Sequence, residues 1–210
     1  MKIEKNAMQL YAITDKSWLN GNTLASQVED ALRGGATFLQ LREKNASKEE
    51  IIKEALEIKE ICKKYNVPFV IDDDVDIAKE IDADGVHIGQ NDASYKYARD
   101  ILGDNKIIGM TAHNLEEALT AQNSGADYIG VGAVFNTSTK LDTIPMSRET
   151  LMQITSNISI PVVAIGGINE NNILELKGSG VDGVAVISAI FSKEDITEAA
   201  NNLLSLSKQL

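Results

Sequence analysis

The sequence predicts an α/β fold, a single-domain (β/α)8 or TIM barrel over residues 1–210, and three observations carry that expectation. Eight short, nearly continuous apolar runs recur along the chain, helical patterns lie between them, and a small unit joining a helix end to a strand repeats four times. Continuous apolar runs of strand length mark strands buried on both faces, as in parallel sheets. Eight βα units in one domain suit a closed barrel, compact here at 210 residues. The alternative, a doubly wound open sheet, ordinarily uses fewer strands.

The first run is "MQLYAIT" (8–14), with a helical pattern at 24–32 behind it. "TFLQLRE" (37–43) follows, then the clearest helix at 47–66. There Ile51, Ile52, Ala55, Leu56, Ile58 and Cys62 recur at three- and four-residue spacing among Lys and Glu. Ser47 with Glu50 forms a capping box at its start, and Asn66 and Pro68 stop it. "PFVID" (68–72) leads into a helix at 75–81. Asp74 reads as its N-cap or as a solvated acid, and Asp76 as a first-turn acid favoured by the helix dipole. "GVHIG" (85–89) and a helix at 94–102 come next, then "KIIGMTA" (106–112) and a helix at 115–123. "YIGVGAV" (128–134) precedes the one long unpatterned connection, 135–146, and a helix at 147–154. "PVVAIGG" (161–167), a helix at 170–176, "GVAVIS" (183–188) and a helix at 196–207 complete the pattern. The repeated unit reads "GGATFLQL", "DADGVHIG", "GADYIGVG" and "GVDGVAVI", and its glycines suit helix C-caps, where φ must be positive.

Apolar residues make up 43% of the chain and charged residues 24%, as in an ordinary globular protein. The net charge of −11 argues against nucleic-acid partners and a basic membrane face. Anionic small molecules stay open, because a local basic site or a metal overrides the global field. The single cysteine, Cys62, rules out a disulfide framework within the chain and reads as a packing residue of its helix. No apolar run reaches the roughly 18 residues of a membrane span. The opening "MKIEKNAMQL" lacks the apolar segment of a signal peptide, so a cytoplasmic protein is expected. Barrels of this size often form a homodimer, although no residue here specifies one.

Working side chains of such barrels lie at the C-terminal ends of strands. Here those ends carry Arg42, Lys44 and Lys140 as cations, and Thr111, Thr137, Ser138, Thr139 and Ser188 as hydroxyls. Gly166 and Gly167 permit close backbone approach. These are phosphate-binding groups. Asp73 and Asp92, at the ends of neighbouring strands, would repel phosphate unless a divalent cation stood between. Mg2+ is typically held by one or two carboxylates plus phosphate oxygens. The site therefore reads as one for small-molecule phosphate and diphosphate substrates with Mg2+.

In six motifs the chain resembles the thiamine-phosphate synthase (thiamine-phosphate pyrophosphorylase) family along essentially its whole length. They are "LQLREK" (39–44), "DDDVDIA…ADGVHIGQND" (72–92), "IIGMTAHNLEEA" (107–118), "GADYIGVGAVFNTSTKLD" (125–142), "PVVAIGGIN" (161–169) and "GVDGVAVISAI" (180–190). The resemblance implies a transferase of thiamine biosynthesis. It joins hydroxymethylpyrimidine diphosphate to hydroxyethylthiazole phosphate, with dissociative loss of pyrophosphate and capture of the pyrimidine cation by the thiazole nitrogen. It further implies Arg42 and Lys44 as diphosphate-binding cations, Gln40 and His87 at the pyrimidine, and Asp73 and Asp92 as magnesium ligands. Thr111 stands where the family usually has Ser and keeps a phosphate-contacting hydroxyl. Thr137, Thr139 and Lys140 match the family's "TxTK" loop, and Gly167, Ile187 and Ser188 its thiazole-phosphate site. Lys140, Arg42 and Thr111 are the residues expected to act on the departing diphosphate. His113 is equally well a packed, hydrogen-bonded residue.

Four departures stand out. Asp72 occupies a position where the family commonly has Asn, which helps hold the diphosphate. An anion there repels it unless it is protonated or turns toward the cation or Arg42. Ala133 and Asn136 replace two prolines, Leu141 replaces a basic residue, and a glycine before the sixth helix is absent, which leaves that loop less constrained. Two other readings use the same fold: a paralogous tautomerase that aromatises the thiazole precursor, and a non-catalytic binder of phosphate ligands. Retention of Asp73, Asp92, Arg42, Lys44 and Lys140 favours the synthase.

Overall fold

The computed structural model describes residues 3–90, 92–137 and 145–210. Eight parallel strands close into a barrel in chain order: β1 (Leu10–Ile13), β2 (Phe38–Leu41), β3 (Phe69–Asp72), β4 (Gly85–Ile88), β5 (Ile107–Ala112), β6 (Tyr128–Gly132), β7 (Val162–Ile165) and β8 (Gly183–Val186). Between and after them run α1 (Leu24–Arg33), α2 (Lys48–Tyr65), α3 (Val75–Glu80), α4 (Tyr95–Leu102), α5 (Leu115–Ser124), α6 (Arg148–Asn157), α7 (Ser188–Phe191) and α8 (Ile196–Ser207). Every expected strand forms. No helix among the described residues is long and apolar enough to cross a membrane.

The local signals act as read. Ser47 and Glu50 cap α2 reciprocally, and Asn66 closes it in a left-handed conformation. Asp74 caps α3 by accepting the Ile77 amide at 2.8 Å. Cys62 is buried on α2, where desolvation pushes its thiol pKa far up. Three details differ. At "DADG" the positive φ falls on Asp82, not on glycine. The helix expected at 170–176 is only a 3-10 turn at Ile173–Leu176. Asn172 accepts the Asn169 amide and donates to the Gly167 carbonyl instead of capping, so its side chain competes with helical bonding. Finally, the eighth strand ends at Val186, and the chain turns at once into the four-residue α7.

Strand side chains alternate between two environments. One set packs outward against the helices. The other fills the barrel, where Tyr11, Phe38 and Tyr128 meet edge to face with centroids 4.6–5.8 Å apart. Gly109 makes room for this cluster: a Cβ there would lie 2.1 Å from Cζ of Tyr128. Going up the barrel the inward positions turn polar. Phe38 gives way to Gln40 and then Arg42, Val70 to Asp72, and Gly109 to Thr111. The apolar floor and the polar mouth thus come from the same period-two pattern.

Candidate active site at the mouth of the barrel

The backbone of Arg42, just beyond β2, is fixed by the Thr14 hydroxyl, which accepts its amide at 2.9 Å. Its guanidinium reaches Asp15 at 3.4 Å and Asp72 at 3.9 Å. Lys44 lies 3.4 Å from Asp72 and 2.5 Å from Asp73. Asp72 therefore turns toward Arg42 and Lys44, and its other oxygen accepts from the Gln40 amide. Burial raises the Asp72 pKa, as does the neighbouring Asp73, while Lys44 and Arg42 oppose the rise.

Asp73 has φ +62°, a left-handed conformation that costs a non-glycine residue about 1–2 kcal/mol. Its amide donates to the His87 carbonyl at 2.8 Å. Its carboxyl group neighbours that of Asp92, which accepts the Gly89 amide at 2.7 Å. Burial works to raise the Asp73 pKa, but Lys44 and Asp92 bring it below the ordinary value. Asp92 is raised, first by burial and then by Asp73. Two neighbouring carboxylates repel one another, and a divalent cation between them relieves that repulsion. Asp15, Asp72, Asp73 and Asp92 outnumber Arg42 and Lys44 among the described residues at this rim. A diphosphate would meet net negative charge here without such a cation. The residues fit Mg2+.

The mouth holds two adjoining compartments. Gln40, Lys44, Asp72, Asp73, His87 and Asp92 line one. Thr137, Gly166, Gly167, Ile187 and Ser188 line the other. Arg42, Thr111, His113 and Ile187 are among the residues that line both. Gly167 has φ +66°, and a Cβ there would lie 2.2 Å from the Asn136 carbonyl, so glycine lets the β6 and β7 loops meet. The stem of the β6 loop is tied to β7 by the Val134 and Phe135 amides, which donate to Ile165 and Gly166 at 2.9 and 3.1 Å. Thr139, Lys140, Ser138 and Leu141 lie outside the described residues. His113 is held by Glu117, at 2.9 Å from its Nδ1.

Tyr11 and Tyr128 were absent from the sequence-derived site. Their hydroxyls lie 2.8 Å apart, and they connect Gln40 to His87, whose Nδ1 is 2.9 Å from the Tyr128 hydroxyl and whose Nε2 is 2.9 Å from Thr111. Burial pushes both phenol pKa values up, so both stay protonated at neutral pH. The available signal was a hydroxylated aromatic at an inward position of an otherwise aliphatic strand.

A closed parallel barrel with its polar groups gathered at the C-terminal mouth is the architecture of the (β/α)8 enzymes. Within that class the comparisons are specific. The family model described as thiamine monophosphate synthase matches residues 10–190. The chain is 51% identical over 199 residues to a thiamine-phosphate synthase of Clostridium novyi (strain NT), covering 94% of this chain and 98% of that one. A thiamine-phosphate synthase of Ruminiclostridium cellulolyticum is 50% identical, covering 94% of each. The solved thiamine phosphate pyrophosphorylase of Pyrococcus furiosus superposes with a TM-score of 0.90 at 41% identity over 97% of both chains. The chain belongs to the thiamine monophosphate synthase family.

Proposed function

We propose that the barrel is one catalytic domain that joins hydroxymethylpyrimidine diphosphate to hydroxyethylthiazole phosphate, releasing pyrophosphate. The observation that carries this reading is the Asp73–Asp92 pair at adjacent strand ends, flanked by Arg42 and Lys44. Asp73 and Asp92 would hold Mg2+. When bound, the ion neutralises charge developing on the leaving diphosphate.

The chain's own residues do the rest. A dissociative step needs stabilisation of the leaving group more than a strong base. Arg42 and Lys44 supply fixed positive charge beside the metal-binding acids, and Lys140 is assigned the same role from the family motif. Gln40 and His87 line the same compartment and orient the pyrimidine. The second compartment, with Thr137, Gly167, Ile187 and Ser188, receives the thiazole phosphate. Arg42 and Thr111 stand where the two compartments meet, so the reactants lie against one another in a fixed geometry, which lowers the entropic part of the barrier.

The test mixes both substrates with the protein and follows pyrophosphate. Release is expected only with both substrates and Mg2+ present. No release, or release indifferent to Mg2+, would reject the reading.

A further inference from the structure

Six side chains form one unbroken line of hydrogen bonds across the barrel: Asp72, Gln40, Tyr11, Tyr128, His87 and Thr111. Gln40 Nε2 donates to Asp72 Oδ1. Tyr11 donates to Gln40 Oε1 at 2.5 Å. The two tyrosine hydroxyls are 2.8 Å apart, and 2.9 Å separates each remaining pair. Gln40, Tyr11 and Tyr128 are at most 3% exposed, so water does not readily interrupt the middle of the line.

The direction of every link follows from one end. Oδ2 of Asp72 faces Lys44 at 3.4 Å and Arg42 at 3.9 Å, and the group pairs with these two cations as a carboxylate acceptor. A carboxylate only accepts. Gln40 must therefore turn its NH2 toward Asp72 and its oxygen toward Tyr11. Tyr11 gives its one proton to Gln40, so its oxygen accepts from Tyr128. Tyr128 in turn accepts from Nδ1–H of His87. Nε2 of His87 then carries a lone pair and accepts the proton of Thr111. We infer that Asp72 is a positioning residue that sets the polarity of this line, holding His87 as the Nδ1–H tautomer and turning the Thr111 proton into the barrel.

The tautomer follows from this geometry alone. Its consequence for the diphosphate rests on the function proposed above: with its proton directed to His87, Thr111 presents oxygen lone pairs to the mouth, which suit a cation and not the phosphate contact expected of its hydroxyl from the sequence. An amide at position 72 reverses the line. Its oxygen would face Lys44 and Arg42 and its NH2 would face Gln40. Gln40 would then turn over, each hydroxyl would donate the other way, and His87 would carry its proton on Nε2.

The experiment reads the tautomer directly in the free protein, so it is decided separately from any turnover assay. The chain has two histidines, and His113→Gln assigns the His87 signals. Long-range 1H–15N correlations are recorded on 15N-histidine-labelled protein at about pH 8, above the ordinary imidazole pKa of about 6.5. His87 is expected with Nδ1 protonated and Nε2 bare. Asp72→Asn is expected to shift the tautomer ratio at least about tenfold toward Nε2–H. Tyr128→Phe cuts the line with Asp72 in place, and adding Asp72→Asn to that variant is expected to leave the ratio unchanged, which a merely structural effect of Asp72 would not do. An Nε2–H tautomer or an imidazolium in the unsubstituted protein overturns the inference. So does a folded Asp72→Asn protein with an unshifted ratio, or an Asp72→Asn effect that persists beside Tyr128→Phe. Should Asp72→Asn fail to fold, the tautomer of the unsubstituted protein and its loss in Tyr128→Phe decide the matter.

Discussion

Asp73→Gly is expected to abolish Mg2+-dependent pyrophosphate release while leaving the barrel about as stable as before. Asp73 is left-handed, with φ +62°. Glycine relieves a strain of about 1–2 kcal/mol against a chain-entropy cost of roughly 0.5–1 kcal/mol. The lost Lys44 ion pair is partly exposed, and such pairs contribute about 0–1 kcal/mol. The three effects nearly cancel, so the urea midpoint should move little. Turnover should fall by more than about 10²-fold, beyond the 10–100-fold typical of losing a partner in a metal site's outer shell. A folded Asp73→Gly protein with near-normal turnover would remove Asp73 from the metal site. Few positions separate stability from activity so cleanly, because the same residue is strained in the backbone and placed at the rim.

Arg42→Met is expected to lower kcat/KM by about 10²–10³-fold, the range seen when a fixed donor to developing negative charge is removed. Methionine keeps much of the apolar stem and removes the charge that stands between the two compartments. The Arg42 side chain is 17% exposed, against 46% for that of Lys44. Solvent screens the lysine more, so Lys44→Met should cost distinctly less. Steady-state kinetics of both variants, with circular dichroism as the check on folding, decides this. Equal losses in the two, or a larger loss at Lys44, would contradict the assignment of Arg42 as the central cation.

The barrel was legible because its strands are buried on both faces, and runs such as "FVID" and "GVHIG" are continuous where a half-exposed sheet would alternate. The caps at Ser47 and Asp74 were legible because they act within four residues. The failures come from interactions that sequence spacing does not display. Asn172 bonds back to Gly167 and Asn169 and so holds the chain out of a helix. Asp82 takes a conformation ordinarily left to glycine. The acids of "IDDDVD" separated correctly into a strand end, a rim acid and a cap. What Asp72 touches was beyond the sequence, since Gln40 is 32 residues away and Tyr11 reaches Gln40 across another 29. Asp72 belongs to a line that draws one residue from each of six strands, β1 to β6, and only closure of the barrel brings its members together.

The central claim is that Asp73 and Asp92 together hold the metal that carries the diphosphate. Crystals grown with Mn2+ and pyrophosphate test it most directly, since Mn2+ takes the same oxygen ligands as Mg2+ and gives an anomalous signal. The expected result is one anomalous peak about 2.0–2.2 Å from a carboxylate oxygen of each acid, with pyrophosphate oxygens completing the shell beside Arg42. Bound pyrophosphate with no peak between the two acids, or with the metal seated elsewhere, would contradict it.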